Sequence, residues 1–152
     1  MTGVRVEDVH AVDVRPLRGS VLRPGQPPDE LVYPGDDHPD ALHAAVRDAA
    51  AGGAIVGVAT VAPEGHPADP RPGDWRLRGM ATAPGARGRG LGAALLGACL
   101  EHARAHGGGR VWCNARLTAE GFYLRAGFVP EGGRFEIPGI GAHVVMAVSL
   151  RS

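Results

Sequence analysis

The sequence contains no lysine, and its charges cancel. All 16 basic residues are arginines, and 16 acidic residues balance them to a formal net charge of zero. The absence of lysine excludes the P-loop of nucleotide-binding proteins, which requires Gly-Lys-Ser/Thr at its end. The zero net charge disfavours a general nucleic-acid surface, because domains that carry one are usually distinctly basic.

Cysteine and long apolar runs are also scarce. The two cysteines, Cys99 and Cys113, form no CxxC pair, so we expect buried free thiols in a cytoplasmic protein. The seven histidines show no metal-ligand spacing, and no metal site is predicted. The apolar runs fall far short of a membrane span, and the start MTGVRVEDVH lacks the apolar core of a signal peptide. We therefore expect no contact with membranes.

Glycine (24) and proline (13) are abundant but are interrupted by apolar runs, as in a loop-rich folded chain. The length favours one domain over residues 1–152. The pattern predicts a strand near residues 4–6, then helical structure that Pro16 interrupts and that ends before Pro24. Three strands follow, then a helix over about 90–106, a strand, a short helix with Thr118 as its cap, and the final strands.

One segment, RGMATAPGARGRGLGAALL over residues 78–96, places glycines and arginines between a strand and a helix. The first amides of a helix have no internal partners and carry partial positive charge, and glycines let the backbone approach a ligand closely. Such a segment is typical of a cradle for a phosphate group. Arg87 and Arg89 can add positive charge to this cradle.

Two other readings of this segment are less favoured. Residues 88–93 match the G-x-G-x-x-G/A fingerprint of dinucleotide-binding proteins, but that fingerprint also needs an acidic residue about 20 positions on. The chain has VWCNA there, without a carboxylate. An RNA-binding loop would use the RGRG run, but the chain is neutral and has no clustered aromatic residues for base stacking.

The motif Arg87-x-x-Gly90-x-Gly92 resembles [QR]xxGx[GA], the acetyl-CoA pyrophosphate loop of the GNAT superfamily of N-acetyltransferases. About 20 residues later, NARLTAEGFYLRAGF resembles the second sequence block of that superfamily. The ending GRFEIPGIGAHVVM is similar to that of the ElaA-like branch. That branch more usually has Pro-His after Gly-Ile, whereas Gly141 and Ala142 precede His143 here.

The resemblance implies an α/β fold with a mixed, mostly antiparallel central sheet and helices on both faces. It implies an acyltransferase that moves an acetyl group from acetyl-CoA directly to a primary amine of a small molecule or peptide, and it is compatible with a homodimer. A non-catalytic acyl-CoA-binding or regulatory module on the same fold is the alternative. The resemblance implies that the backbone amides of the cradle hold the pyrophosphate; the cradle residues are Gly88, Arg89, Gly90, Leu91, Gly92 and Ala93, with Arg87 beside the phosphates or ordering the loop. In the family's pattern, the backbone of Met80, Ala81 and Thr82 pairs with the pantetheine arm, and Asn114 contacts the cofactor or caps the next helix.

The resemblance also places Tyr123 where the family has a general acid. A phenol can protonate the thiolate that leaves a thioester, although a tyrosine that only packs the helix is the alternative. Three residues are candidates for a general base: Asp74, Glu136 and His143. The acidic loop residues Asp36, Asp37 and Asp40 would either attract a cationic amine or form a solvated turn.

Overall fold

A seven-stranded sheet runs through the computed structural model, which describes residues 4–27 and 30–151. The strands are β1 (Glu7–Asp8), β2 (Leu42–Asp48), β3 (Ala54–Pro63), β4 (Asp74–Thr82), β5 (Arg110–Arg116), β6 (Val129–Ile137) and β7 (Gly141–Ser149). The α-helices are α1 (Ala11–Leu17), α2 (Leu91–Ala105) and α3 (Glu120–Arg125). Within these described ranges, no helix is long and apolar enough to cross a membrane.

The strand order in the sheet is β1-β2-β3-β4-β5-β7-β6. The pair β4–β5 is parallel and all other neighbouring pairs are antiparallel. Helix α2 buries Leu91 and Leu95 in the larger core on one face. Helix α1 packs Val14 against Val58 on the other face. The prediction of a mixed, mostly antiparallel sheet with helices on both faces is confirmed.

Some local predictions are wrong. The first strand is Glu7–Asp8 rather than residues 4–6, because these two polar residues pair with the edge of β2. The prediction for Pro16 is better met, since α1 changes at Arg18 into a π-helical turn that ends at Leu22, before Pro24. Thr118 does not cap α3, because a 3₁₀ turn over Leu117–Ala119 places Ala119 at the cap position, without a side-chain hydrogen bond.

A bulge in β4 sets the course of this strand. Val58 pairs with Ala81, whereas Thr60 pairs with Arg78, so two residues of β4 face one of β3. One of these two is Gly79, whose φ is +63°. A Cβ atom there would lie 2.8 Å from Nε of Arg18, so both the backbone angle and the space require glycine.

Strands β4 and β5 pair only at their first residues. The pairing covers Asp74–Arg76 against Arg110–Trp112, after which the strands separate. The closed end is joined by an ion pair, in which Arg110 donates to both carboxylate oxygens of Asp74 at 2.8 and 2.9 Å. Beyond it, the edges of β4 and β5 that face each other form no ladder, which leaves a V-shaped opening in the sheet.

We expect the variant Asp74→Asn to lower the free energy of unfolding by about 3 kcal/mol, because the guanidinium of Arg110, 10% exposed, would lose its buried counter-charge. Urea unfolding at pH 7 measures this difference. The control Asp69→Asn removes a carboxylate that is 59% exposed and should change stability by at most about 0.5 kcal/mol.

The same pair predicts a pH effect. Burial acts to raise the pKa of Asp74, but hydrogen bonds from Arg110 and from the amides of Arg71 and His66 outweigh it and lower the pKa from 3.8 to about 2. The stabilisation is therefore present above about pH 4 and is lost as the pH falls through about 2. Acid unfolding of Asp74→Asn should show a shallower slope in this window, and equal slopes would contradict the assignment.

Candidate active site

A cavity of about 220 Å³ occupies the opening between β4 and β5. Its walls come from both strands, from the π-helical turn and the loop after it, from α3 and the 3₁₀ turn before it, and from the β6–β7 hairpin. Of the residues predicted from sequence, the lining includes Met80, Asn114, Tyr123 and His143. Four elements that are distant in sequence thus bring these side chains to one place.

Tyr123 contributes a protonated phenol to this cavity. Its side chain is buried, and its hydroxyl donates to Sδ of Met80 at 4.0 Å. Burial, and secondarily the neighbouring Cys113, raises the pKa of Tyr123 above its usual range. The hydroxyl therefore keeps its proton at any ordinary pH and acts as a hydrogen-bond donor, not as a phenolate.

Both cysteines are buried and free, as the sequence analysis predicted. Burial raises the pKa of Cys99 and of Cys113 to about 12. Cys113 lines the cavity, but its thiol stays protonated near neutral pH and is a poor nucleophile there.

The three candidates for a general base differ sharply in position. Asp74 is buried at the closed end of the opening and is fully engaged by Arg110 and by two backbone amides, so it is structural. Glu136 is exposed on β6 and does not line the cavity. Only His143 lines it, and it is buried.

The contacts of His143 define its tautomer. Nδ1 lies 2.8 Å from the carbonyl oxygen of Gly141, which only accepts hydrogen bonds. Nδ1 therefore carries the proton in the neutral ring, and the lone pair is on Nε2. The ring also stacks on Phe135, with 5.8 Å between centroids. Hydrogen bonding and stacking together fix the orientation of the imidazole.

The predicted cradle follows the C-terminal end of β4, which is the open end of the V. Gly88 and Gly90 have φ values of +83° and +76°, and a Cβ atom at either position would meet no heavy atom within 4 Å. Gly90 is the N-cap of α2, and it supplies no side-chain hydrogen bond. The first amides of α2 thus lack a side-chain cap, and the space beside Gly88 and Gly90 is open, as an anion site at a helix N-terminus requires.

The remaining cradle residues have more varied surroundings. Arg87 is exposed and forms no ion pair with the described residues. Arg89 donates to Asp48 at 3.0 Å, so part of its charge is already neutralised. A Cβ at Gly92 would lie 3.3 Å from the Phe122 ring, which gives this glycine a role in packing α2 against α3.

Two more predicted residues lie on the β4 strand. Ala81 is buried with the α1 core, and Thr82 pairs with Gly57 at the end of the strand. Their side chains do not line the cavity, so only their backbones are available to a ligand in the opening.

Sequence reasoning missed a buried polar network beneath the cavity. Arg18 donates to Asp36 at 2.6 and 2.9 Å and to Thr60 at 2.9 Å. Burial acts against ionisation, but the bonds from Arg18 and the Tyr33 amide hold the pKa of Asp36 below its usual value. Asp36 is thus neither a solvated turn residue nor a free charge that attracts an amine, whereas Asp37 and Asp40 are exposed.

Comparison of the sequence with known proteins gives its family. The Acetyltransferase (GNAT) family matches residues 11–128. The N-acetyltransferase YitI of Bacillus subtilis, an uncharacterized protein, is 34% identical over 150 residues, which are 98% of each chain.

Solved structures share the fold. Escherichia coli ElaA has a TM-score of 0.76 at 20% identity, over 95% of this chain and 99% of that chain. An aminoglycoside 6'-N-acetyltransferase complexed with coenzyme A has a TM-score of 0.69 at 13% identity, over 97% and 98%. The likeness to ElaA agrees with the branch that the C-terminal motif resembles. The family match and the identity to YitI show that this chain is an acyltransferase that belongs to the GNAT family.

Proposed function

We propose that residues 1–152 form one N-acetyltransferase domain that moves an acetyl group from acetyl-CoA to a primary amine. The observation that carries the proposal is the opening between β4 and β5, which leads from an open helix N-terminus to a cavity lined by Tyr123 and His143. The coenzyme A complex of the structurally similar aminoglycoside acetyltransferase supports the choice of donor.

The residues of the opening fit an acyl-CoA. The amides of Leu91, Gly92 and Ala93 would receive the pyrophosphate, and Arg87 would add positive charge beside it. The unpaired edge of β4 from residue 77 to 82 would form hydrogen bonds with the amides of the pantetheine arm, as a neighbouring strand would. Asn114 is available to the same arm from β5.

Acetyl-CoA supplies an acetyl group on a thioester, and three groups of this chain act on the transfer. The Nε2 atom of His143 takes a proton from the amine, whose lone pair then forms the new C–N bond. The amide of Met80, displaced from the β3 ladder by the bulge, stabilises the carbonyl oxygen as it becomes negative. Tyr123 donates a hydrogen bond to the sulfur as the C–S bond breaks and so stabilises the thiolate that leaves.

The cysteines favour direct transfer over a covalent enzyme intermediate. A cysteine nucleophile needs a depressed thiol pKa, whereas burial raises the pKa of both thiols in this chain. The amine is therefore the group that attacks the thioester.

Binding of the donor is tested with the variant Gly90→Glu. Its carboxylate would occupy the cradle and repel the pyrophosphate, and we expect calorimetric affinity for acetyl-CoA to fall by about 100-fold or more. Gly90→Asn tolerates the positive φ without adding charge, and Gly85→Glu adds the charge at an exposed position with open space. Both control variants should bind acetyl-CoA with a Kd within about threefold of that of the parent protein. Absence of binding to the parent protein would refute the proposed donor.

Replacement of Tyr123 by phenylalanine tests the role of its hydroxyl at the sulfur. We expect Tyr123→Phe to lower kcat by about 100-fold with an unchanged KM for acetyl-CoA, because the sulfur would leave without a hydrogen-bond donor. Release of free thiol measures the rate. Tyr33→Phe removes the other phenol of the cavity lining and serves as the matched control. A Tyr123→Phe enzyme that binds donor and turns over normally would leave Tyr123 as a packing residue.

The base is tested by its dependence on pH. We expect His143→Gln to lower kcat/KM for the amine by about 100-fold at pH 7. The ratio of parent to variant kcat/KM should fall as the pH rises, because a larger fraction of the amine is then already deprotonated before it binds. The pH profiles of parent and variant, measured at saturating acetyl-CoA, give this comparison. A defect that stays constant over the whole pH range would point to a structural role of His143.

A further inference from the structure

One face of the opening is lined by arginines that the transfer chemistry does not use. Arg76 and Arg78 flank Leu77 in β4, and Leu77 belongs to the core beneath α2. Because successive strand residues point to opposite faces, both arginines face the side of the sheet that carries α1. There the guanidinium of Arg76 lies 4.6 Å from the centre of the Trp112 ring.

These two arginines share one carboxylate. Arg76 donates to Glu64 at 2.9 Å, and Arg78 reaches the same carboxylate only at 3.4 Å. The Nε atoms of both arginines are buried and find no hydrogen-bond acceptor in the described part of the chain. Burial lowers the pKa of Arg78, and Glu64 offsets this only in part. The pair therefore holds more positive charge than its surroundings neutralise.

Two further arginines line the same cavity toward solvent. Arg23 and Arg116 each donate to the carbonyl oxygen of Leu22, at 3.0 and 3.4 Å, and form no ion pair with residues 4–27 or 30–151. Both also line an adjoining groove of about 340 Å³ beside Gly139 and Ile140. That groove gives the cavity an entrance on the α1 side.

The lining of the cavity thus contains four arginines and, among the residues that the structure describes, no aspartate or glutamate. Such a lining repels an acceptor that carries only positive charge, whereas guanidinium groups bind carboxylates strongly and often through two hydrogen bonds. The donor's phosphates have a separate place at the cradle. Arg23 and Arg116 are therefore free for the acceptor, and Arg76 and Arg78 have only Glu64 to share between them.

We propose that the acceptor is an amine that also carries a carboxylate, bound by Arg116 and Arg23 at the entrance and by Arg78 and Arg76 inside. This inference rests on the proposed function, whose amine it makes more specific. The amino group would then lie toward His143 and the thioester, and the carboxylate toward the arginines.

The first test compares matched acceptors on the parent protein at saturating acetyl-CoA. The panel holds the L-amino acids, their C-terminal amides, the corresponding decarboxylated amines, and peptides with a free amino terminus and an acidic second residue. We expect kcat/KM for at least one carboxylate-bearing acceptor to exceed that of its amide or amine counterpart by about 10-fold or more. Turnover of amino acids identifies a free amino acid as the source of the carboxylate, and turnover of the peptides alone identifies a peptide.

The second test removes one arginine. Arg116→Gln should raise KM for the carboxylate acceptor by about 10-fold or more, leave KM for acetyl-CoA within about twofold, and abolish the preference over the amide. The variant Arg134→Gln alters an exposed arginine of β6 outside the cavity and should behave as the parent. A merely structural role of Arg116 would lower the rates of acid and amide acceptors equally.

Two results would overturn the inference while the proposed donor stands. One is equal or better turnover of the amides and decarboxylated amines. The other is a protein that binds acetyl-CoA in the calorimeter but acetylates no carboxylate-bearing acceptor. Failure of the proposed function is distinct from both, since the parent protein would then not bind acetyl-CoA.

Discussion

The early separation of β4 and β5 is the constraint on which the rest of the structure depends. Parallel strands normally continue their ladder, but here the pairing stops after Arg76 and Trp112. The Asp74–Arg110 pair closes one end, and the bulge at Gly79 turns β4 away at the other. Beyond this point β4 and β5 form no hydrogen bonds with each other in a ladder. A substrate with amide groups is able to form hydrogen bonds with the backbone of this edge instead.

The two sides of the cavity between these strands differ in polarity. The side beneath α2 and α3 is largely apolar and holds Tyr123 and Cys113, whose burial keeps both groups protonated. The side that carries α1 is rich in guanidinium groups with too few counter-charges. A phenol hydroxyl and a group of guanidinium ions thus come to one cavity from opposite faces of one sheet.

The order of elements was predictable because the strands and α2 have clear periodicity and glycine-marked ends. The glycine turn before α2 was predictable for the same reason, since it is local in sequence. The parts that were missed depend on contacts between distant residues. Nothing in the sequence around Asp74 indicates that Arg110 neutralises it, and Arg18 finds Asp36 and Thr60 across 18 and 42 positions. The two-residue β1 exists through its partner β2, since Glu7 and Asp8 have low strand propensity.

The contacts of Arg18 with residues distant in sequence also affect the order in which the protein folds. Contacts between residues far apart in sequence are slow to form, because the chain must first close a long loop. The π-helical turn is bound to the loop at Asp36 and to β3 at Thr60, so it takes its place only once those segments are themselves in position. The α1 side of the cavity is therefore expected to be completed only after β3 and the loop at Asp36 have formed.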